Sequence, residues 1–394
     1  MRLRHRLLSV SIAAVVMVAA CGSNPPAGGV IPSQPPTANL KPLSEVTVGE
    51  GELDLIAREG YVDDMWAKSF VVDTGCKINV HYAGTPAEIA NLMKDGGGGK
   101  WDLVTASGEI SLSLMYGGDV KPVNTELIPA WKNFQASFKS PSFNTVRGIH
   151  YGISSQWSPD LLLYNTKKYP NPPTSWDVIY DPANQGIITV PDNPIQIADA
   201  ALYLSKARPA LAITDPFELT PAQFQAALGL LKDQHALVRQ YWTIPSDEIA
   251  LFQTFSVFVG SGWPYQTMTL QSLGVPVADA VPTQGATAWA DSWMLATRGL
   301  HPNCAYLWMR YVSEPKVQAE QALLVGETPV NSRACAELEA AQAGSCARLH
   351  ADAQASYFDA IRFWKTPLVT CADGTQRCVP YDQWVSAWAA VKGG

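Results

Sequence analysis

The stretch LDLIAREGYVDDMWAKSFVVDTGCKINVHYAGTPAEIANLMKDGGGGKWDLVTA, residues 53–106, decides the fold. Its apolar residues alternate or recur at helical spacing, and the order strand, helix, strand, helix, strand is typical of a parallel α/β sheet. The predicted strands are Leu53–Ala57, Lys77–Tyr82 and Asp102–Ala106, and the predicted helices are Val62–Asp73 and Pro86–Lys94. In such sheets ligands bind at the carboxyl ends of the strands. Those ends lead here into Arg58–Tyr61 and Ser107–Glu109.

The rest of the chain repeats this alternation. The clearest later strands are Leu161–Tyr164, Gly186–Val190, Val257–Gly260 and Ser292–Ala296, and helical spacing recurs at Ile195–Ser205, Pro221–Lys232 and Tyr306–Val312. A length of 394 residues suggests two domains, and 47% hydrophobic against 16% charged residues indicates an ordered globular chain. The net charge of −7 argues against nucleic acid as a partner. We therefore expect two α/β lobes.

The first residues have the pattern of an export signal. Basic residues precede the apolar run Leu7–Val18, which is too short to span a bilayer. The sequence Val18-Ala19-Ala20-Cys21-Gly22 resembles a bacterial lipobox, in which Cys21 carries lipid and becomes the first residue of the mature protein. An ordinary cleaved signal peptide is the alternative. We expect a signal peptide at 1–20, a Pro-rich tether at 21–50, and an exported protein that Cys21 anchors to lipid at the outer face of the cytoplasmic membrane.

Six cysteines remain when Cys21 is set aside from the seven of the chain. An even number in an oxidising compartment predicts three disulfides. The short loops favour Cys335–Cys346 and Cys371–Cys378, which leaves Cys76–Cys304. A zinc site is disfavoured because the sequence has no CxxC motif and no nearby histidine pair, so we expect no metal and no cofactor.

Catalytic motifs are missing from the sequence. It contains neither GxSxG nor HExxH. The glycine run Gly96–Gly99 resembles a phosphate loop, but Trp101 follows Lys100 where Ser or Thr is required. We expect a protein that is not an enzyme, with an exported hydrolase as the alternative of another class. An oxyanion binder that uses helix N-termini stays open.

Several segments together resemble one known family. They are Arg58–Val62, Thr74–Lys77, Lys100–Val104, Tyr151–Ile153, Thr174–Asp177 with Gln185–Ile187, and Trp289–Ser292. Their order and spacing, from about residue 50 to the C-terminus, resemble the spermidine/putrescine-type periplasmic solute-binding lipoproteins of ABC importers, within the bacterial extracellular solute-binding proteins.

The resemblance implies a fold and a function. The implied fold is the two-lobed, type II periplasmic-binding-protein fold, in which each lobe is a mixed, mainly parallel sheet flanked by helices and the ligand cleft lies between the lobes. Lobe 1 would comprise 51–153 plus 282–330, and lobe 2 would comprise 154–281 plus 331–394. The implied function is capture of a polyamine (putrescine or spermidine) or a related small amine by a monomer, which then delivers it to the permease subunits in the membrane.

A polyamine needs carboxylates for its ammonium groups and aromatic faces for its methylenes. In the family an acidic residue of a W-M-D-S motif binds an amine, and its position is kept here as Asp291. Trp289 lies two residues earlier, and the alternation of a strand would put both side chains on the same face. The resemblance adds Trp263 and Tyr61 as further walls of the cleft.

Other positions depart from the family pattern. Asn193 and Gln196 are neutral where the family has an acidic pair, unless Asp192 has shifted into that place. Arg58 and Lys365 replace a tryptophan and a glutamine, and both would repel a diamine if they faced the cleft.

Glu109, which replaces a tyrosine of the family and follows Ser107 at the strand end, offers one way to neutralise Arg58. Alternatively, Arg58 would bind a ligand carboxylate bidentately while Asp291 takes an amine. The alternative ligand is then a zwitterionic ω-amino acid or a betaine.

Overall fold

The computed structural model of the protein describes residues 34–375 and 377–393. The predicted signal peptide 1–20 and the predicted lipid attachment at Cys21 lie outside this described part. Within it, no helix has both the length and the apolar character that crossing a membrane requires.

Strands and helices alternate along the described chain. The strands are Glu52–Ala57 (β1), Lys77–Tyr82 (β2), Leu103–Ser107 (β3), Val120–Lys121 (β4), Thr145–Val146 (β5), Ile149–His150 (β6), Gly152–Pro159 (β7), Leu161–Asn165 (β8), Ile188–Pro191 (β9), Val238–Trp242 (β10), Val259–Gly262 (β11), Val277–Ala280 (β12), Ala286–Ala296 (β13), Thr328–Pro329 (β14) and Ile361–Phe363 (β15). The α-helices are Asp64–Thr74 (α1), Pro86–Gly97 (α2, irregular over 94–96), Gly108–Gly117 (α3), Gln196–Ala207 (α4), Pro221–His235 (α5), Pro245–Gln253 (α6), Pro264–Ser272 (α7), Pro302–Val312 (α8), Pro315–Val325 (α9), Ala334–Ala341 (α10), Ser345–Arg348 (α11), Ala355–Asp359 (α12) and Tyr381–Lys392 (α13). The predicted α/β class is confirmed.

Local chemistry explains why the opening stretch folds as predicted. The Asp63 carboxylate accepts a hydrogen bond from the backbone N–H of Met65 and so caps the N-terminus of α1. Trp66 and Phe70 are buried on one side of this helix. Gly75 ends it in the left-handed conformation at φ 72°, which glycine adopts without steric cost.

The first sheet has the strand order β14-β7-β13-β3-β1-β2, and β4 and β15 also pair with β13. Strand β1 pairs in parallel with both β2 and β3, as the sequence predicts. Leu53 and Leu55 of β1 are fully buried in the apolar core between this sheet and α1 and α8. This sheet therefore carries the carboxyl ends of β1 and β3 to one edge.

The second sheet has the order β10-β9-β11-β8-β12. Its central strand β11 is parallel to β9 and antiparallel to β8. An apolar core beside it joins α4, α5 and α13 through buried residues such as Leu204, Leu228 and Trp388. Trp289 and Trp364 belong to the same core and approach it from the side of the first sheet.

The chain crosses between the sheets along extended strands. Strand β7 lies in the first sheet and β8 in the second, and Asp160 is the single residue between them. Strand β13 pairs antiparallel with β3, β4 and β7. Antiparallel pairs are therefore as prominent as parallel ones, whereas the resemblance implied mainly parallel sheets. The reason is that β13 runs against the direction of both β3 and β7, between which it lies.

The C-terminal stretch contacts both halves of the molecule. Strand β15 pairs with β13 of the first sheet, and α13 packs against α5 beside the second. The lobe boundaries 51–153 plus 282–330 and 154–281 plus 331–394 stay a prediction.

Part of the predicted tether lies against the folded chain. The Thr37 hydroxyl donates to the Val120 carbonyl, and Thr37 is buried. Further along, the Glu50 carboxylate accepts the backbone N–H groups of Asn303 and Cys304 at the start of α8. Hydrogen bonds to these backbone donors lower the pKa of Glu50 even though burial alone would raise it.

The six paired cysteines lie at bonding distance in the combinations that the sequence favours. They are Cys76–Cys304, Cys335–Cys346 and Cys371–Cys378. The first links β2 to α8 across 228 positions of sequence, whereas the third spans only 7. A cross-link that closes a long loop restricts the unfolded chain most.

Reduction of the disulfides should lower the melting temperature. Replacing Cys76 and Cys304 together by serine should remove about 5.4 kcal/mol of stability in the loop-entropy model, and replacing Cys371 and Cys378 should cost less. Thermal unfolding followed by circular dichroism measures both double variants beside the parent. Titration of six free thiols in the native protein would contradict the pairing.

Candidate functional site

A pocket of about 140 Å³ lies between the two sheets. Carboxyl ends of strands from both sheets meet there, as the α/β rule predicts. The lining residues are Arg58, Gly84, Pro86, Ser107, Glu109, Pro191, Asp192, Asn193, Trp242, Thr243, Trp263, Trp289 and Trp364. The six predicted site residues among them are Arg58, Ser107, Glu109, Asn193, Trp263 and Trp289.

Tryptophans form the wall of the pocket. Trp263, at the start of α7, packs edge-to-face against Trp289 and against Trp242, with ring centroids 5.6 and 5.0 Å apart. Trp364, which follows β15, adds a fourth indole. The sequence predicted Trp263 and Trp289 but missed Trp242 and Trp364. Trp242 lies at the carboxyl end of β10, and the rule that ligands bind at strand ends could have identified it.

Arg58 lines the pocket and pairs with Asp291, a predicted site residue that is not among the lining residues. The Nη1 atom of Arg58 lies 3.4 Å from Oδ2 of Asp291, and its guanidinium carbon lies 5.1 Å from the ring centroid of Trp289. Burial would lower the pKa of Arg58, but the Asp291 carboxylate outweighs this and the pKa is raised. The Arg58 side chain is 40% exposed, whereas Asp291 has no exposed surface.

The Arg58–Asp291 pair bears on two expectations: that Asp291 binds a ligand ammonium and that Glu109 neutralises Arg58. Arg58 stands against the carboxylate and the indole face at which the sequence placed a ligand ammonium. The alternative that Arg58 pairs with Glu109 is not realised: among the described residues, the ion-pair partner of Arg58 is Asp291. The reason is register, because Asp291 of β13 lies opposite Ser107 at the end of β3, beside the turn that carries Arg58.

Glu109 receives hydrogen bonds from both halves of the molecule. Its carboxylate accepts from the Ser107 hydroxyl at 3.3 Å, from Asn193 Nδ2 at 3.4 Å and from the Tyr381 hydroxyl at 3.2 Å. Glu109 is 4% exposed. Burial raises its pKa, and the nearby Arg58 charge and these hydrogen bonds partly offset that rise. Within the described chain this carboxylate has no ion pair.

Asp192, the acid that could take the place of the family's acidic pair, also lines the pocket. Its Oδ1 accepts from Trp388 Nε1 at 2.8 Å and pairs with the ammonium of Lys392. Both partners belong to α13, so the C-terminal helix neutralises this acid.

Tyr61 lies outside the pocket lining. It is buried, and its hydroxyl donates to the Glu327 carboxylate at 2.7 Å. Burial and the nearby Asp291 charge raise the pKa of Glu327 to about 8. The hydroxyl of Tyr61 is thus engaged by a protein carboxyl group that the sequence analysis did not single out.

Gln196 and Lys365 also lie outside the lining. Gln196 is buried in the first turn of α4, and its Nε2 donates to Asp199 Oδ2 at 2.6 Å. The Lys365 ammonium pairs with Asp215 at 2.8 Å and with Glu218. These two acids keep Lys365 charged and away from the pocket, so the expected repulsion of a diamine by Lys365 does not arise.

A second group of ionisable residues lies at the other end of β1 and β3. Among the described residues, Asp54, Asp102 and His301 are close enough to share a metal ion, within 4.8 Å of one another. However, Asp102 already accepts the backbone N–H groups of Asp54, Leu300 and His301. These contacts explain the cluster as the anchor of the segment that leads into α8.

The chain is similar to known proteins over most of its length. A family model described as bacterial extracellular solute-binding protein matches residues 65–344. A putrescine/agmatine-binding protein from Pseudomonas aeruginosa is 22% identical over 275 residues, which is 66% of this chain and 72% of the relative.

Solved structures share the fold. The spermidine/putrescine ABC transporter substrate-binding protein from Streptococcus pneumoniae has a TM-score of 0.68 at 14% identity, covering 86% of this chain and 97% of its own. A lipoprotein of Treponema pallidum also has a TM-score of 0.68, at 13% identity, covering 87% of this chain and all of its own. These likenesses confirm the predicted two-lobed periplasmic-binding-protein fold.

The family match spans most of the chain, and the pocket lies where the fold places a ligand. The family consists of extracellular solute-binding proteins rather than enzymes, which confirms an exported solute-binding role and disfavours the hydrolase alternative. The chain belongs to the bacterial extracellular solute-binding protein family.

Proposed function

We propose that this chain captures a polyamine such as putrescine or spermidine, or a related small amine, and delivers it to the permease subunits of an ABC importer. The observation that carries the proposal is the buried Glu109 carboxylate, without an ion pair in the described chain, in a pocket walled by tryptophans. The putrescine/agmatine-binding relative supports the choice of an amine.

The charges around the pocket favour one ammonium anchor. Arg58 neutralises Asp291 and Lys392 neutralises Asp192, whereas Glu109 is held only by neutral donors. An ammonium group that reaches Glu109 would form a charge-assisted hydrogen bond. The indole faces would add a cation–π attraction of about 0.5–2 kcal/mol.

Calorimetric titration tests the ligand class. Putrescine or spermidine should bind with micromolar or tighter affinity. Glu109→Gln should weaken this binding by about 10- to 100-fold, because a hydrogen bond to a charged group contributes ~1.5–3 kcal/mol. Glu126→Gln is the matched control, since Glu126 is exposed in the same half of the molecule. Unchanged affinity in Glu109→Gln, or binding of γ-aminobutyrate or a betaine alone, would contradict the proposal.

The role of Asp291 can be separated from that of Arg58. Asp291→Asn should lower the affinity for putrescine by about tenfold or more, because it leaves the Arg58 charge uncompensated beside the pocket. The double variant Arg58→Gln/Asp291→Asn should recover most of that loss. If the single variant binds as tightly as the parent protein, Asp291 has no part in binding. If the double variant stays weak, Asp291 contacts the ammonium directly.

We also propose that residues 1–20 are a signal peptide, that Cys21 is lipidated, and that the protein acts as a monomer on the outer face of the cytoplasmic membrane. The lipobox-like sequence before Cys21 supports the anchor. Cys21→Ser should move the protein from the membrane fraction to the soluble fraction after cell lysis, and Ser23→Ala should not. Retention of Cys21→Ser with the membranes would refute lipid anchoring through this residue.

A further inference from the structure

Two of the pocket tryptophans are held by one acid at the crossing between the sheets. Asp160, the single residue between β7 and β8, accepts hydrogen bonds from Trp263 Nε1 at 2.7 Å and from Trp364 Nε1 at 3.1 Å. Asp160 is 2% exposed, and its own backbone N–H donates to the Thr287 carbonyl. The orientation of Trp263 therefore depends on the Asp160 carboxylate, and that of Trp364 depends on Asp160 and on the Thr287 hydroxyl oxygen, which lies 3.2 Å from the same Nε1.

A second acid contacts Asp160 through one hydroxyl group. The Thr287 oxygen lies 2.6 Å from Oδ2 of Asp160 and 2.6 Å from Oδ1 of Asp199. A threonine hydroxyl has a single hydrogen to donate, so it satisfies only one of these contacts. The other contact needs a hydrogen on the carboxyl group itself, because two oxygens at this distance without a hydrogen between them repel.

The hydrogen-bond donors decide which acid carries that hydrogen. Asp160 receives two indole N–H groups, which stabilise a carboxylate. Asp199 receives one amide N–H, from Gln196 to its Oδ2, which leaves Oδ1 free to be protonated. The protonated Asp199 carboxyl group then donates to the Thr287 hydroxyl oxygen, and the Thr287 hydroxyl donates to the Asp160 carboxylate.

We infer that Asp199 is protonated in the folded protein and is a positioning residue: through Thr287 it fixes Asp160, and through Asp160 it fixes Trp263 and Trp364 in the solute pocket. This inference deepens the proposed function, because it concerns the same pocket. The protonation itself, however, requires no solute.

The surroundings of Asp199 favour its protonated form. Burial raises the pKa of Asp199 well above its ordinary value, and the neighbouring Asp160 charge raises it further. Burial also raises the pKa of Asp160, to about 6, although its three hydrogen bonds oppose this. The other titratable group that faces Asp199 is Tyr180, which stays neutral because burial raises its pKa as well. In the described part of the chain, neither acid has an ion pair.

Two influences oppose the proton: the hydrogen bond with Thr287 lowers the pKa of Asp199, and the helix dipole acts in the same direction. Asp199 lies in the first turn of α4, where the helix dipole favours a negative charge. Even so, the folded protein holds the proton at pH values at which an unfolded aspartate, with a pKa of ~3.9, has lost it. The stabilisation by this proton is complete below the unfolded pKa and is lost as the pH rises through the higher folded pKa.

If Asp199 lost its proton, the Asp199 and Asp160 carboxylates would compete for the single hydroxyl hydrogen of Thr287. The contact from Thr287 to Asp199 would then break, and Asp160 would lose its link to α4. Asp199→Asn replaces the acid by an amide that donates N–H to Thr287 at every pH. This variant therefore mimics the protonated state.

Infrared spectroscopy of the full-length protein, carrying isotope-labelled aspartate, tests the protonation without any solute. At about pH 7.5, more than three units above the ordinary aspartate pKa of ~3.9, the parent should show an isotope-shifted protonated-carboxyl band. Asp199→Asn should lack this band. Asp233→Asn, at an exposed residue of α5, should keep it. Absence of the band from the parent, or its persistence in Asp199→Asn, overturns the inference.

The effect on the pocket is read from pH profiles. The ratio of parent to Asp199→Asn affinity for putrescine should fall as the pH rises through the folded pKa of Asp199, and a tenfold fall corresponds to ~1.4 kcal/mol. Melting temperatures of the solute-free proteins should diverge in the same direction. Parallel melting profiles would overturn the positioning role even if putrescine does not bind. Should Asp199→Asn fail to fold, Thr287→Val must remove the pH dependence in its place, and an unchanged profile in that variant counts against the inference.

Discussion

Complete burial of strand β13 is the constraint on which the rest of the structure depends. All eleven residues of Ala286–Ala296 are buried, and the strand pairs with β3 on one side and β7 on the other. A polar side chain on such a strand has no water to bind, and an unsatisfied one costs about 1–3 kcal/mol. Thr287 has partners in Asp160 and Asp199, and Oδ2 of Asp291 has one in Arg58, whereas Oδ1 of Asp291 has no partner in the described chain. The groups that meet this need, around Asp160 and Arg58, are also the groups that shape the pocket.

Acids near the pocket show three different solutions to the cost of burying a negative charge. Asp291 has a guanidinium partner from the turn after β1, and Asp192 has an ammonium partner from the C-terminal helix. Glu109 has only neutral donors, which reach it from both halves of the molecule. The negative charge is therefore neutralised at Asp291 and Asp192 and is kept at Glu109. This asymmetry gives a solute a direction in the pocket.

Much of the fold was predictable because its determinants are local. The capping residues and helical spacing around α1 identify the first unit, and the strand-end rule places Arg58, Ser107 and Glu109 at one pocket. The first half of β13 was missed, and only Ser292–Ala296 was predicted, because a strand buried on both faces has no polar–apolar alternation to detect.

Side-chain partners from distant parts of the chain were not predictable. Lys365 looked like a pocket residue, but Asp215 and Glu218, almost 150 positions earlier, hold it elsewhere. Gln196 was expected to face the solute, yet it lies on α4 beside Asp199 and binds that acid. Such outcomes depend on which elements pack together, and this information is spread over the whole sequence.

The Arg58–Asp291 pair has a consequence for the empty protein in solution. A vacant site that presents a bare carboxylate attracts dissolved cations, and an incoming amine must displace them, so salt weakens its capture. Here the counter-ion of Asp291 is covalently part of the chain and cannot be displaced by sodium or potassium. Competition from dissolved cations is then confined to Glu109. A cell that meets large swings in external salinity would lose less of its capture of solute with a site of this kind than with one that presents two bare carboxylates.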